Sequence, residues 1–328
     1  MNRVMGSSLF DIYEEQKKPT DKLRAIDLFA GIGGIRLGFQ QAFKDDIEFV
    51  FSSEIDKYAQ QTYYANFGEV PYGDITKIDE KDIPPHDIIL AGFPCQAFSI
   101  AGLRKGFEDT RGTLFFDVAR IAAYHKPKLI FLENVKGFVN HDKGNTFKVV
   151  KQTLEDMGYK VFSKVLNAKD FGVPQNRERI YIVAFLDDVD FNFPKALDID
   201  VKLGDILEKD IPNKYTISDK LWAGHQRRKI EHKLKGNGFG YSLFNKNSKY
   251  TSTISARYYK DGSEILIEQK DKNPRKLTPR EACRLQGFGD DFKIVVSDMQ
   301  LYKQAGNSVA VPVISTIAKK LAKIIKKG

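Results

Sequence analysis

The chain's chemistry starts at a cysteine that follows a proline. In A-G-F-P-C-Q (Ala91–Gln96), Pro94 fixes the backbone before Cys95 and removes a competing donor. Small Gly92 and polar Gln96 give no core context, so Cys95 reads as a nucleophile. The only other cysteine, Cys283, lies within a helical pattern and reads as an inert buried thiol. No cysteine-protease pattern accompanies Cys95. His86, His125, His141, His225 and His232 are scattered, so no metal is expected. Glu133, in E-N-V (Glu133–Val135), ends another apolar run and is placed to reach the same rim. In Q-N-R-E-R (Gln175–Arg179), Arg177 and Arg179 alternate toward one side of the strand that follows.

A second constellation points to a ligand. D-L-F-A-G-I-G-G (Asp27–Gly34) is a strand followed by a glycine-rich turn into a helix, which favours backbone approach and negative charge. A dinucleotide fingerprint needs a third glycine where Arg36 stands, so that reading fails. Glu54 ends the next strand, where an acid accepts hydrogen bonds from ribose hydroxyls. Asp74, in G-D-I-T (Gly73–Thr76), is placed for an adenine amino group. Taken singly, each acid is a surface carboxylate or a helix cap. In this order they suggest an adenosine-bearing cofactor without a pyrophosphate.

These residues need a frame. Apolar runs at 23–29, 47–53, 87–92, 128–133, 160–166 and 179–185 read as strands, and helices follow the first two, to about Gln41 and from Asp56 to about Asn66. The alternation implies an α/β fold with a doubly wound, mostly parallel sheet. After Leu186 the rhythm breaks. Residues 187–274 hold only short strand-like pieces and read as a second, smaller, irregular domain. Helix signals return at Thr278 (N-cap), Pro279 (N1) and Glu281 (N3). From Ser308 an amphipathic helix carries Ile314, Ile317, Ala318, Leu321 and Ile325 on one face. It reads as a closing helix on the first domain, in preference to a membrane-surface helix. The expected division is an N-terminal arm at 1–21, a first domain at 22–186 plus 303–328, a second at 187–274, and a connecting segment at 275–302.

The assembled motifs resemble the cytosine-C5 DNA methyltransferases, in particular the compact bacterial enzymes of restriction-modification systems. The match runs in order through D-L-F-A-G-I-G-G, Glu54, Asp74, G-F-P-C-Q, R-G-T-L-F-F-D-V (Arg111–Val118), E-N-V, Q-N-R-E-R, R-K-L-T-P-R-E-A-C-R-L-Q-G-F (Arg275–Phe288) and G-N-S-V (Gly306–Val309). The resemblance implies a Rossmann-like S-adenosylmethionine-dependent methyltransferase whose product is S-adenosylhomocysteine. It implies cofactor contacts at Phe29, Ala30, Gly31, Ile32, Gly33, Gly34, Glu54, Ile55, Asp74, Ile75, Pro94, Leu114, Asn307 and Ser308. It also implies that Cys95 attacks cytosine C6, that Glu133 meets N3 and the exocyclic amine, and that Arg177 and Arg179 hold the activated base. The target base must be flipped from the duplex, under a mobile loop spanning Phe98 to about Arg111.

The second domain is then the target-recognition domain. Expected DNA contacts are Gln96, Ser99 and Arg111 near the loop, with Arg228, Tyr241, Thr253, Ser255, Arg257 and Tyr258 in the second domain. The partner is double-stranded DNA, in preference to tRNA, with a cognate endonuclease acting separately and the protein itself a monomer. Charge agrees with that placement. Residues 220–260 hold ten of the 52 basic residues and one of the 43 acidic ones, so this window carries the whole net charge of +9. At 42% hydrophobic, the 328 residues bury a core large enough to exclude disorder. No run approaches eighteen apolar residues, there is no secretory h-region, and two cysteines suit a reducing cytoplasm.

Overall fold

The computed structural model describes residues 21–94, 114–236, 238 and 240–325. All of the expected arm at 1–21 but Asp21, and the site residues Cys95, Gln96, Ser99 and Arg111, lie outside them. The six expected strands form one sheet: β1 (Leu23–Leu28), β2 (Ile47–Ser53), β3 (Ile88–Ala91), β4 (Leu129–Val135), β5 (Lys160–Asn167) and β6 (Glu178–Phe185), in the order β2-β1-β3-β4-β6-β5. Neighbours from β2 to β4 are parallel, and β6 alone runs against both its partners. A strand covered on both faces is apolar at successive positions rather than alternate ones. In β4, Leu129 and Phe131 face one core while Ile130 and Leu132 face the other.

Helices α1 (Gly34–Phe43) and α8 (Val311–Ile325) cover the first face, through Phe39, Ile314, Ile317 and Leu321. The closing helix thus packs on the first domain, as its apolar stripe requires. Helices α3 (Phe115–His125) and α4 (Asn145–Asp156) cover the other face through Phe115, Val118, Val150 and Leu154. Helix α2 (Lys57–Phe67) follows β2, capped by Asp56, whose Oδ1 accepts from the Tyr58 and Ala59 amides.

The 187–274 region carries one element with no counterpart in the sequence pattern: α5 (Asp219–Leu234), capped by Ser218 and burying only His225. Its strands are two-residue pieces, β7 (Leu243–Phe244) and β8 (Leu266–Ile267). Leu203, Ile254, Tyr258 and Ile265 pack there against Leu277, Ala282, Leu285 and Tyr302. The segment expected to connect the domains therefore supplies one wall of this core. It contains α6 (Pro279–Leu285), with the expected Thr278–Glu281 capping box, and the start of α7 (Asp298–Asn307). Cys283 is fully buried and its thiol is pushed up to about 12 by desolvation, which suits the inert reading. Among the described residues no helix is long and apolar enough to cross a membrane.

Candidate active site

The glycine-rich turn leaves β1 through left-handed backbone at Phe29 and Gly31 and enters α1 from Gly33, whose φ of 81° suits a residue without a Cβ. Glu54, just past β2, holds this turn. Its Oε2 accepts from the Gly31 amide at 2.8 Å, and its Oε1 accepts from the Asp56 amide at 2.7 Å. Between the turn, the end of β2 and the C-terminal end of α7 lies a cavity of about 250 Å³. Eight of the expected cofactor residues line it: Phe29, Gly31 and Ile32 from the turn, Glu54 and Ile55 after β2, then Pro94, Leu114 and Asn307. Ile55 is 70% exposed, an apolar side chain held open beside the Glu54 carboxylate.

Other expected contacts sit behind this wall. Ala30 donates its amide to Ser53 O, Gly33 and Gly34 carry the turn into α1, and Ile75 is buried in the core. Asp74 is not part of the cavity wall. Its Oδ1 accepts from the Thr76 amide and hydroxyl, so its carboxylate caps a single helical turn, and these bonds hold its pKa below the usual range. Ser308 offers its carbonyl to Arg177. Five wall residues were not anticipated as cofactor contacts: Asp56, Ala59, Gly92, Lys303 and Gln304. Lys303 Nζ lies 2.6 Å from Asp56 Oδ2, closing a link between α2 and α7. A polar residue on the buried face of α7, three after Leu301, is the sequence signal that marks Gln304.

Glu133 stands at the end of β4, 9% exposed. Because β6 is reversed, its first residues arrive at the same edge, with Val135 paired to Arg179. Arg179 Nε lies 3.2 Å from Glu133 Oε1, but that oxygen accepts no hydrogen bond among the described residues. Burial pushes the Glu133 carboxyl up, against the pull of Arg179 and then Arg177. The neighbouring Asn134 donates to Phe93 O at 2.9 Å, fastening β4 to the loop that leads into Cys95. A Cβ on Gly92 would lie 3.7 Å from Glu133 Oε2, and Gly92 also lines the cavity. The carboxyl group and the cavity therefore share one wall.

Arg177 is placed differently from the expectation that it holds a base. It is 3% exposed, and its guanidinium donates to the carbonyls of Ile254 at 3.2 Å, Gly306 at 3.1 Å and Ser308. Burial, and then the like charge of Arg179, pull its pKa down. A short side chain could not span these three segments, so Arg177 ties the 251–258 stretch to the C-terminal end of α7.

The expected DNA-reading residues divide. Tyr258 is a correction: it is fully buried, its hydroxyl donates to Ile265 O and accepts from the Leu277 amide, and it belongs to the core. Its position among basic residues suggested exposure, but packing against Tyr302 prevails. Arg228 pairs with Asp261 at 3.1 Å. Tyr241 lies edge-on to Trp222, under Lys229. Thr253 donates to Asn176 O, and Ser255 donates to Glu264. Arg257 is exposed, and its guanidinium makes no hydrogen bond or ion pair among the described residues.

Comparison with known proteins follows the same frame. A family model described as C-5 cytosine-specific DNA methylase matches residues 23–323. The chain is 64% identical over 305 residues to the type II methyltransferase M.SsoII of Shigella sonnei, covering 92% of this chain and 80% of that protein. It is 65% identical to the type II methyltransferase M.NlaX of Neisseria lactamica, covering 91% and 96%. Against M.HhaI of Haemophilus parahaemolyticus identity is 44%, covering 93% and 96%. In fold it is similar to the S. pombe Dnmt2 methyltransferase, with a TM-score of 0.77 at 19% identity over 93% of this chain and 99% of that one. It is likewise similar to the Entamoeba histolytica methyltransferase EhMeth, with a TM-score of 0.76 at 22% identity over 93% and 99%. The chain belongs to the C-5 cytosine-specific DNA methylase family.

Proposed function

We propose that the protein methylates C5 of a flipped-out cytosine in a short sequence of duplex DNA, drawing on S-adenosylmethionine, and that this protects host DNA against a cognate endonuclease. The observation that carries this reading is the Glu133 carboxyl group, buried, short of one hydrogen-bond partner and sharing Gly92 with the cavity. The cavity suits the cofactor. It offers the Glu54 carboxylate for a ribose and the open apolar Ile55 for a purine face, with no third glycine for a pyrophosphate.

The bound cofactor supplies an electrophilic methyl group on sulfur. The chain's own residues make C5 able to take it. Cys95 adds its thiolate to C6, forming the S–C6 bond while the C5–C6 π pair moves onto C5. Glu133, held toward its protonated form by burial, gives a hydrogen bond or proton at N3 and so relieves the charge that addition builds on the ring. Arg179 sits beside it and adds a cation to the same edge. After methylation a base removes the C5 proton, the pair reforms the double bond, and Cys95 leaves. Arg177 acts one step back, by fixing the segments around this edge.

Cys95→Ser should abolish methylation of duplex DNA while binding of S-adenosylhomocysteine survives. Bisulfite sequencing of DNA from expressing cells reads both activity and sequence context. Full activity of the serine variant would overturn the mechanism.

A further inference from the structure

We propose that Gln175 is a positioning residue for sequence reading: its buried side-chain amide sets the stretch that carries Thr253, Ser255 and Arg257 in register with the Glu133–Arg179 edge. The proposal rests on the reading of that stretch as DNA-facing. Residues 174–177, which lead into β6 and Arg179, lie beside 251–254. Two main-chain bonds begin the pairing: the Thr251 amide donates to Pro174 O at 2.8 Å, and the Asn176 amide donates to Thr251 O at 2.9 Å. Among the described residues, no main-chain bond joins the two segments beyond Thr251. Side chains take over there. Gln175 Oε1 accepts from the Ile254 amide at 3.1 Å, and Arg177 donates to the carbonyl of the same residue at 3.2 Å. A ladder of two bonds can slip and remake equivalent bonds. A bond to one particular amide from an anchored side chain cannot.

The Gln175 amide is held in one orientation. The residue is fully buried, and its Nε2 donates to Leu285 O at 3.0 Å and to Gln286 Oε1 at 3.1 Å. Turning the amide over would set its oxygen against two acceptors and its nitrogen against an N–H. Gln286, just past α6, is also fully buried. Its Nε2 donates to Ala305 O at 2.6 Å, and its main-chain carbonyl accepts from the Val311 amide at 2.9 Å. The oxygen offered to Ile254 is therefore fixed from α6, α7 and the start of α8, and not by the stretch it holds. A satisfied buried network of this kind rigidifies what it joins. Without Gln175 the Ile254 carbonyl still has Arg177, but the amide loses its partner and the stretch can pivot about the bonds that remain. Its outward side chains would then meet a base pair in more than one position, and a wrong pair would be tolerated.

The test uses the full chain. Bisulfite sequencing first gives the methylated sequence, and methyl transfer is then measured on that duplex and on one with a single changed base pair. Wild type should favour the first by about tenfold or more in kcat/KM. In Gln175→Met that ratio should fall about fivefold or more, the equivalent of one hydrogen bond. Affinity for S-adenosylhomocysteine should stay unchanged, since Gln175 is not part of the cavity wall. Gln286→Met is the matched control. It breaks the same network and should melt lower than wild type, but it leaves Gln175 bonded to Leu285 O and to the Ile254 amide, so the ratio should hold. A merely structural loss would lower kcat/KM on both duplexes alike. An unchanged ratio in Gln175→Met, or an equal fall in both variants, overturns the assignment. Should Gln175→Met not fold, Gln175→Asn takes its place, because one methylene less withdraws the oxygen from the Ile254 amide. An unchanged ratio there overturns the assignment equally. A wild-type protein that methylates no preferred sequence would instead remove the reading of the stretch as DNA-facing.

Discussion

Gly306→Ala should be among the most damaging single-methyl additions in this chain. A Cβ on Gly306 would lie 2.2 Å from Ala256 N, 2.2 Å from Ser255 C and 2.3 Å from Ser255 O. Ordinary van der Waals contact begins at 3.4 Å, so the two main chains must part by about 1.2 Å. No rotamer change can relieve this, because every clashing atom is backbone. Overpacking typically costs about 1–3 kcal/mol, and backbone against backbone belongs at the upper end. The same separation pulls the Gly306 carbonyl from Arg177, whose buried guanidinium then loses one of its three carbonyl partners. A loss of about 3 kcal/mol should lower Tm by about 4 °C in differential scanning calorimetry. Gly224→Ala is the matched control. It lies within α5 with nothing near its Cβ position, so Ala there should raise helix stability by up to about 1 kcal/mol. If Gly306→Ala melted with wild type while Gly224→Ala rose as expected, the close approach of these backbones would be refuted.

Two further outcomes follow from buried carboxyl groups. Glu133→Gln keeps shape and hydrogen bonding but cannot give up a proton, so kcat should fall by roughly 10²–10⁴ in a methyl-transfer assay. Binding of S-adenosylhomocysteine should be unchanged, since Glu133 is not part of the cavity wall. Asp27, 1% exposed, is pushed up to about 8, chiefly by burial and against Arg36. Its folded pKa lies above its unfolded 3.8, so its contribution to stability is complete below that value and is lost as pH rises toward 8. Tm measured across this range should fall more steeply for wild type than for Asp27→Asn, and parallel curves would contradict the burial of a protonated Asp27.

The sheet was legible because strands covered on both faces read as unbroken apolar runs, as in residues 129–132. The capping box at Thr278 was legible because two side chains and a proline three or fewer positions apart define it. Helix α5 was not. Only His225 is buried, so no apolar period marks it, although five of the ten bases at 220–260 lie on it. Tyr258 was misread because its neighbours in sequence are bases while its neighbours in space are Tyr302, Leu277 and Ile265. Eight of the expected cofactor residues reached the cavity wall, since a local turn and strand ends present them. Asp56, Lys303 and Gln304 escaped because their meeting depends on contact between α2 and α7, which are more than 200 residues apart in sequence. The role of Arg177 escaped for the same reason. Its carbonyl partners are in segments that neither the Q-N-R-E-R spacing nor strand alternation brings near it.

The grip on the 251–256 stretch is written almost entirely in main-chain atoms. Arg177 and Gln175 hold the carbonyl and the amide of Ile254, the Thr251 amide bonds Pro174 O, and Gly306 lies against the Ser255–Ala256 peptide. Such a socket depends little on a side chain that faces away from it. Arg257, exposed and with its guanidinium unbonded among the described residues, is therefore free to be exchanged over evolutionary time without unseating the backbone beneath it. On the expectation that this stretch reads DNA, one body can host successive preferences by exchanging what faces outward.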